Sequence, residues 1–292
     1  MKTGHIEGFE SRRCPGHGVT IDSLVGGSGP PLLLLHGAPQ TRVCWSAVAP
    51  VLAEHFTVVV PDLRGYGRSD KPRGGGDHSA YSKRELALDQ IATMDALGFG
   101  RLSVAGHDRG GRVAYRLALD HPDRIDRLAV LDIVPTSDAM AAFDQHSALR
   151  FWHWAFQALD EPFPERMIGN DPAYYVETML SAHASKGFQF DPSNVADYLM
   201  SISDPAAVHA MCEDYRAAWT IDREVDESEL GVRTIEAPVL VLWGQETPAA
   251  NSPLEKWRRW AKVVDGHAIK CGHFVPEEAP METATSLLRF FS

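Results

Sequence analysis

Cysteine is scarce and scattered in this chain of 292 residues: Cys14, Cys44, Cys212 and Cys271 form no Cys-x-x-Cys pair. That spacing gives neither a zinc site nor a disulfide framework, and the expectation is inert thiols in a reducing compartment. Basic residues are also in deficit. Lys and Arg number 28 against 39 Asp and Glu, a formal charge of −11. Nucleic-acid binding needs a basic face, so no such partner is expected. No apolar run approaches the ~18 residues of a membrane span. The stretch from Met1 to Cys14 is polar and lacks the apolar core of a secretory signal. These absences predict a cytoplasmic protein with no membrane partner. The glycine-rich stretch Arg73-Gly74-Gly75-Gly76-Asp77 lacks the lysine and spacing of a phosphate-binding loop.

What the chain does have is a rhythm. Leu32–Leu35, Thr57–Val60, Leu102–Ala105, Leu128–Leu131 and Val239–Trp243 are continuous apolar runs. Unbroken rather than alternating runs suit strands of a parallel sheet covered on both faces. Helical patterns such as Lys83–Leu97 and Arg112–Asp120 lie between them. This is α/β organisation, a mostly parallel sheet flanked by helices. The rhythm stops after Pro135 and resumes near Pro238. The aromatic-rich stretch between reads as an inserted helical cap, 137–226, with residues 1–136 and 227–292 forming the core. The cap is expected over the carboxyl edge of the sheet, where open α/β sheets bind ligands.

Gly106-His107-Asp108-Arg109-Gly110 follows one of the strands and opens a helix. Strand, sharp turn and helix make the setting of a nucleophile elbow, whose usual centre is serine. Here the centre is Asp108. A carboxylate is ionised at neutral pH and needs no base to activate it, so the chemistry moves from acyl transfer to displacement at a carbon centre. The ester so formed needs a base to direct water at it. Asp132, at the end of the next strand, and the late His273 complete the chain order nucleophile, acid, histidine. Asp132 would hold the imidazole tautomer and stabilise the imidazolium. The backbone N–H groups of Ala38 and Arg109 are the positional candidates for an oxyanion hole. The plainer alternatives are that Asp108 caps its helix and that Asp132 ends its strand.

Arg109 and Arg112 share a face of the helix that starts at the elbow. Two guanidinium forks beside a nucleophile suit a carboxylate substrate, whereas a surface pair would only make salt bridges. Arg116 lies a turn further out and reads as structural.

These residues resemble the fluoroacetate and haloacetate dehalogenases of the α/β-hydrolase superfamily, over nearly the whole chain. The shared superfamily segments are His36–Pro39 and Pro61–Ser69. Cys271–Pro280 also matches, and the more specific segments are the Asp-Arg-Gly-x-Arg pattern within Gly106–Arg112 and the cap segments Phe151–Trp154 and Cys212–Ala217. The resemblance implies an α/β-hydrolase fold, Asp108 as nucleophile, Asp132 and His273 as acid and base, and Arg109 and Arg112 on the substrate carboxylate. It implies halide binding by His153, Trp154 and Tyr215, a homodimer, no metal and no cofactor. Spacing alone would make Trp154 a packing residue, and adjacent helical residues such as His153 and Trp154 point ~100° apart. Two positions depart from the family: His183 stands where tryptophan is frequent, and Ala38 where a bulkier residue is.

The expected reaction is hydrolysis of a small anionic 2-haloacid, with fluoroacetate to glycolate as the simplest case. Epoxide hydrolysis uses the same Asp-His machinery and would need tyrosine acids, for which Tyr174, Tyr175 and Tyr215 are available. A non-catalytic small-molecule receptor on the same fold is the third reading, and a complete triad argues against it.

Overall fold

The computed structural model describes residues 4–247 and 253–292. Eight strands form one sheet: β1 (Glu10–Pro15), β2 (Thr20–Gly26), β3 (Pro31–Leu35), β4 (Thr57–Pro61), β5 (Leu102–His107), β6 (Ile125–Leu131), β7 (Val239–Gly244) and β8 (Val264–Ile269). Their spatial order is β1-β2-β4-β3-β5-β6-β7-β8. β2 runs antiparallel to both neighbours, and every pairing from β4 to β8 is parallel. The five apolar runs are the five central strands, and Leu32–Leu35, Val58–Val60 and Leu128–Leu131 are wholly buried. Burial on both faces is why they carry no alternation. β1 and β2 escape a reading by apolar runs. Glu-Ser-Arg-Arg-Cys-Pro is an exposed edge strand, and β2 buries Asp22 and Ser23 among its apolar residues.

The helix Asp108–Asp120 follows β5 directly and is buried along almost its whole length against the sheet. Between β6 and β7 the chain runs through short helices from Thr136 to Glu229, with a π-helical turn at Ala218–Asp222. These helices carry His153, Trp154, His183 and Tyr215, which line a cavity together with residues at the carboxyl ends of β5 and β6. All four cysteines are free and buried. Among the described residues no helix is long and apolar enough to cross a membrane.

Candidate active site

The elbow is built by close packing. Asp108 is the first residue of its helix and has a φ of 48°, a left-handed conformation that non-glycine residues rarely adopt. Its side chain caps nothing; the N-cap position belongs to His107. The flanking glycines do not take the strained angle themselves. A side chain on Gly106 would collide with the Gly110 carbonyl, and one on Gly110 with the His36 carbonyl. They let β5, the loop after β3 and the helix crowd together, and Asp108 takes the turn. Gly37 completes the fit: a Cβ there would stand 2.6 Å from that of Asp108. Held this way, Asp108 Oδ1 accepts the Ala38 N–H at 2.9 Å. Oδ2 is left facing His273, with Nε2 at 3.8 Å. Burial alone would raise the Asp108 carboxyl. The charges of His273, His107 and Arg109 outweigh it and hold the group below the usual carboxylate range.

Asp132 is the second strained carboxylate, with a φ of 52° just beyond β6. Its Oδ2 lies 2.7 Å from His273 Nδ1. Oδ1 accepts from the Gly244 N–H at 3.0 Å and the Thr247 hydroxyl at 2.8 Å, which fixes the carboxylate in place. Burial pulls the His273 pKa down, but the hydrogen bond and charge of Asp132, with that of Asp108, raise it above its ordinary value. The loop of His273 is clamped by Glu278, a residue the motifs did not single out. Its carboxylate accepts the N–H groups of Gly272, Phe274 and Ser185, each at 2.8 Å, tying the base to the chain that follows His183.

The two arginines have different surroundings. Arg112 lines the cavity with its guanidinium 5.6 Å from the centre of the Trp154 ring. Nη1 donates to the Thr136 hydroxyl at 3.0 Å and the Val134 carbonyl at 3.3 Å, and Nε is buried with no partner. Among the described residues no carboxylate pairs with it. Burial and the neighbouring Arg109 lower its pKa, so the charge is costly as it stands. Arg109 is not among the residues lining the cavity. Its Nε and Nη2 donate to Asp214 at 2.8 and 3.0 Å, and Nη2 also to the Asp214 carbonyl at 2.7 Å. Its guanidinium lies 4.3 Å from the centre of the Tyr215 ring. Asp214 also takes the ammonium of Lys83 and the Tyr66 hydroxyl. Nothing in the local sequence announces this buried hub, because its members lie far apart in the chain. Arg116 pairs with Asp120 and Glu229, well away from the cavity lining.

The cap residues face the carboxylate. His153, Trp154 and Tyr215 all line the cavity, the first two with ring planes 89° apart. Although their rings diverge, both border the same cavity. His183 lines it too, 5.0 Å from His153 and 6.1 Å from His273 between ring centres. Burial pushes the pKa of His183 down to about 4 and that of His153 well below its ordinary value, which favours the neutral form of each ring. Of the three tyrosines open to an epoxide reading, Tyr215 alone lines the cavity. Tyr174 is 69% exposed and Tyr175 is buried elsewhere in the cap. The cavity encloses about 190 Å³, below the range typical for drug-sized ligands.

Residues 30–280 match the model of the alpha/beta hydrolase fold. The chain belongs to the alpha/beta hydrolase family. It is 45% identical to fluoroacetate dehalogenase from Burkholderia sp., over 98% of this chain and 95% of that protein. It is 34% identical to soluble epoxide hydrolase from Corynebacterium sp. (strain C12), over 94% and 95%. The crystal structure of ALR0039 from Nostoc sp. PCC 7120 superposes with a TM-score of 0.95 at 45% identity, covering 97% of this chain and 98% of that one. The resemblance to the fluoroacetate and haloacetate dehalogenases read from the motifs thus extends along this hydrolase almost end to end.

Proposed function

We propose that this hydrolase cleaves the carbon–halogen bond of a small 2-haloacid, with fluoroacetate to glycolate as the simplest case. The observation that carries the reading is Arg112, a buried cation that no carboxylate among the described residues pairs with, lining the same small cavity as the Asp108 carboxylate. A substrate carboxylate on Arg112 would neutralise that charge and hold C2 in front of Asp108. Arg109, already spent largely on Asp214, would add its charge rather than a full fork.

The free Oδ2 of Asp108 attacks C2, and the halide leaves with the bonding pair towards His153, Trp154 and Tyr215. Each of the three can donate a hydrogen bond. Fluoride gains most from such donors, because it is small and strongly hydrated. The product is an ester of Asp108. His273 Nε2 then takes a proton from water, and the water oxygen attacks the Asp108 carboxyl carbon. The oxyanion forms on Oδ1, where the Ala38 N–H already donates. On collapse the His273 proton passes to the departing oxygen and frees the 2-hydroxyacid, and the Asp108 carboxyl then loses the proton of the attacking water to solvent and is again a carboxylate.

Halide release from fluoroacetate and chloroacetate, measured by ion chromatography with styrene oxide as control, tests the reading. Epoxide opening without halide release would overturn it. Single turnover in ¹⁸O-water should place label in the Asp108 carboxyl, and an unlabelled protein would exclude the ester. The homodimer and cytoplasmic setting belong to the same proposal. They are supported by the exposed apolar side chains Phe163, Met167 and Tyr174 on the cap, and by four unpaired thiols. Light scattering of the purified protein tests the dimer.

A further inference from the structure

Two imidazoles of the cap stand side by side, each with one nitrogen that the chemistry above does not use. His153 lies on the helix Trp152–Gln157, and His183 ends the helix Pro172–His183. Their ring centres are 5.0 Å apart, with the planes at 69°. They are only 4% and 7% exposed. His153 Nδ1 and His183 Nε2 are both buried with no hydrogen-bond partner. A buried polar atom left unpaired is costly, so two of them on adjoining rings call for one explanation.

Donor counting links the two atoms. Burial favours the neutral form of both rings, and a neutral imidazole carries one N–H. His153 borders the cavity and its Nδ1 is buried, so Nε2 is the nitrogen left to face a ligand. For Nε2 to donate to a departing halide, Nδ1 must hold the lone pair, and a buried lone pair needs a donor. Among the described residues the ring nearest to His153 is that of His183; those of Tyr215, Trp152 and Trp154 lie at 5.9, 6.0 and 6.3 Å. Tyr215 and Trp154 line the cavity, where the proposed reaction uses their own hydrogens. His183 has the spare nitrogen, and it is held in place. Its ring lies within 5° of parallel to that of Phe151, and its carbonyl accepts the His273 N–H at 3.0 Å.

We propose that His183 is a positioning residue: its Nε2–H pairs with His153 Nδ1, a small turn of either ring closing the contact, and so fixes His153 in the tautomer that presents Nε2–H to the halide. The proposal rests on the haloacid reading, which gives His153 its halide role. A donor locked in place before the bond breaks costs no reorganisation when charge develops on the leaving group. Fluoride, the leaving group that gains most from donors, is where the lock matters most.

Spectra of the full chain labelled with ¹⁵N-histidine, recorded without substrate, are the first test. His183 should carry its proton on Nε2, His153 should show a bare Nδ1, and a scalar coupling should join the two nitrogens across the hydrogen bond. A proton on His153 Nδ1, a bare Nε2 on His183, or no coupling between them would overturn the proposal. This measurement needs no turnover, so it stands apart from any failure of the haloacid reading. The second test is the rate of first halide release, read by rapid quench. His183→Phe keeps a ring on Phe151 and removes the donor. Release from fluoroacetate should slow about tenfold, the scale of one hydrogen bond, and release from bromoacetate by less than about twofold. His183→Gln, whose amide nitrogen can stand where Nε2 does, should recover most of the loss with fluoroacetate. No loss in the phenylalanine variant, equal losses on the two substrates, or equal losses in the two variants would make His183 a packing residue and overturn the proposal.

Discussion

His273 Nδ1 lies 2.7 Å from Asp132, while Nε2 lies 3.8 Å from Asp108 Oδ2. The first is a hydrogen bond and the second is too long for one. A base that had to activate its nucleophile would be expected within hydrogen-bond reach of it. In the proposed mechanism His273 is the base, held fast by Asp132 and set back from an Asp108 nucleophile that is already ionised, with room for the water of the second half-reaction.

That separation divides the roles experimentally. Asp108→Asn should abolish turnover, since no ester can form. His273→Asn should release one halide per site and then stop, with the protein heavier by one carboxymethyl group when haloacetate is used. Rapid-quench halide measurement with intact-protein mass spectrometry reads both. Continuous turnover by the His273 variant would remove the base from the mechanism.

In the proposed reaction, recognition of the anionic substrate rests on Arg112. Charge-assisted hydrogen bonds are worth roughly 1.5–3 kcal/mol. Arg112→Leu should therefore raise KM by ~10–100-fold and affect kcat less. Arg112→Lys should recover only part of the loss, because an ammonium cannot form the bidentate fork. Steady-state kinetics on haloacetate reads both, and an unchanged KM in the leucine variant would take the carboxylate away from this residue.

The elbow was legible because its glycines, its central carboxylate and the late histidine are local motifs, and local motifs survive without coordinates. The central strands were legible because burial on both faces leaves uninterrupted apolar runs. β1 and β2 were not: β1 is an exposed edge strand with no such run, and β2 breaks its apolar residues with the buried Asp22 and Ser23. The different fates of Arg109 and Arg112 were also hidden. Helical spacing puts both on one face, but Asp214, which claims Arg109, comes from a cap helix more than a hundred residues later. Glu278 and Glu277 stood inside a recognised segment, yet only the folded loop shows that one clamps His273 and the other reaches Gln40.

The pKa of His273 should change during the cycle. In the resting site, burial lowers it, and Asp132 and the Asp108 charge raise it above its ordinary value. Esterification neutralises Asp108 and removes one of the charges holding the imidazolium. The imidazole thus loses its proton more readily when it must act as base. The hydrolysis half-reaction, followed by single turnover, should rise with pH through a lower pKa than NMR reads for His273 in the free protein. The displacement step should stay flat, because Asp108 is ionised throughout. Asp132→Asn should lower the histidine pKa further and cost up to ~10⁴-fold in the hydrolytic step, as in related triads. Identical pKa values in the free protein and the ester would break the link to Asp108.

Asp214 is the structural counterpart of the site's positive charge. It neutralises Arg109 and Lys83 where none of the three is exposed, and burial raises its carboxyl less than those two cations lower it, leaving it at about 2. Breaking a buried pair by removing one partner typically costs about 3–5 kcal/mol, because a charge is left without compensation. Asp214→Asn leaves Arg109 without its carboxylate and Lys83 with Asp222 alone, at 3.5 Å, and should lose about that much at neutral pH. A carboxyl depressed below its ordinary 3.8 contributes stability that is present above that value and lost as pH falls through about 2. Urea unfolding should therefore show a wide gap between wild type and variant at pH 7 that narrows below pH 3.8. Arg109, released from Asp214, is then free to swing off Tyr215, so the variant's residual activity should fall more with fluoroacetate than with bromoacetate, whose leaving group depends less on donors. A gap of under 1 kcal/mol at pH 7 would mean that Arg109 and Lys83 find their compensation elsewhere.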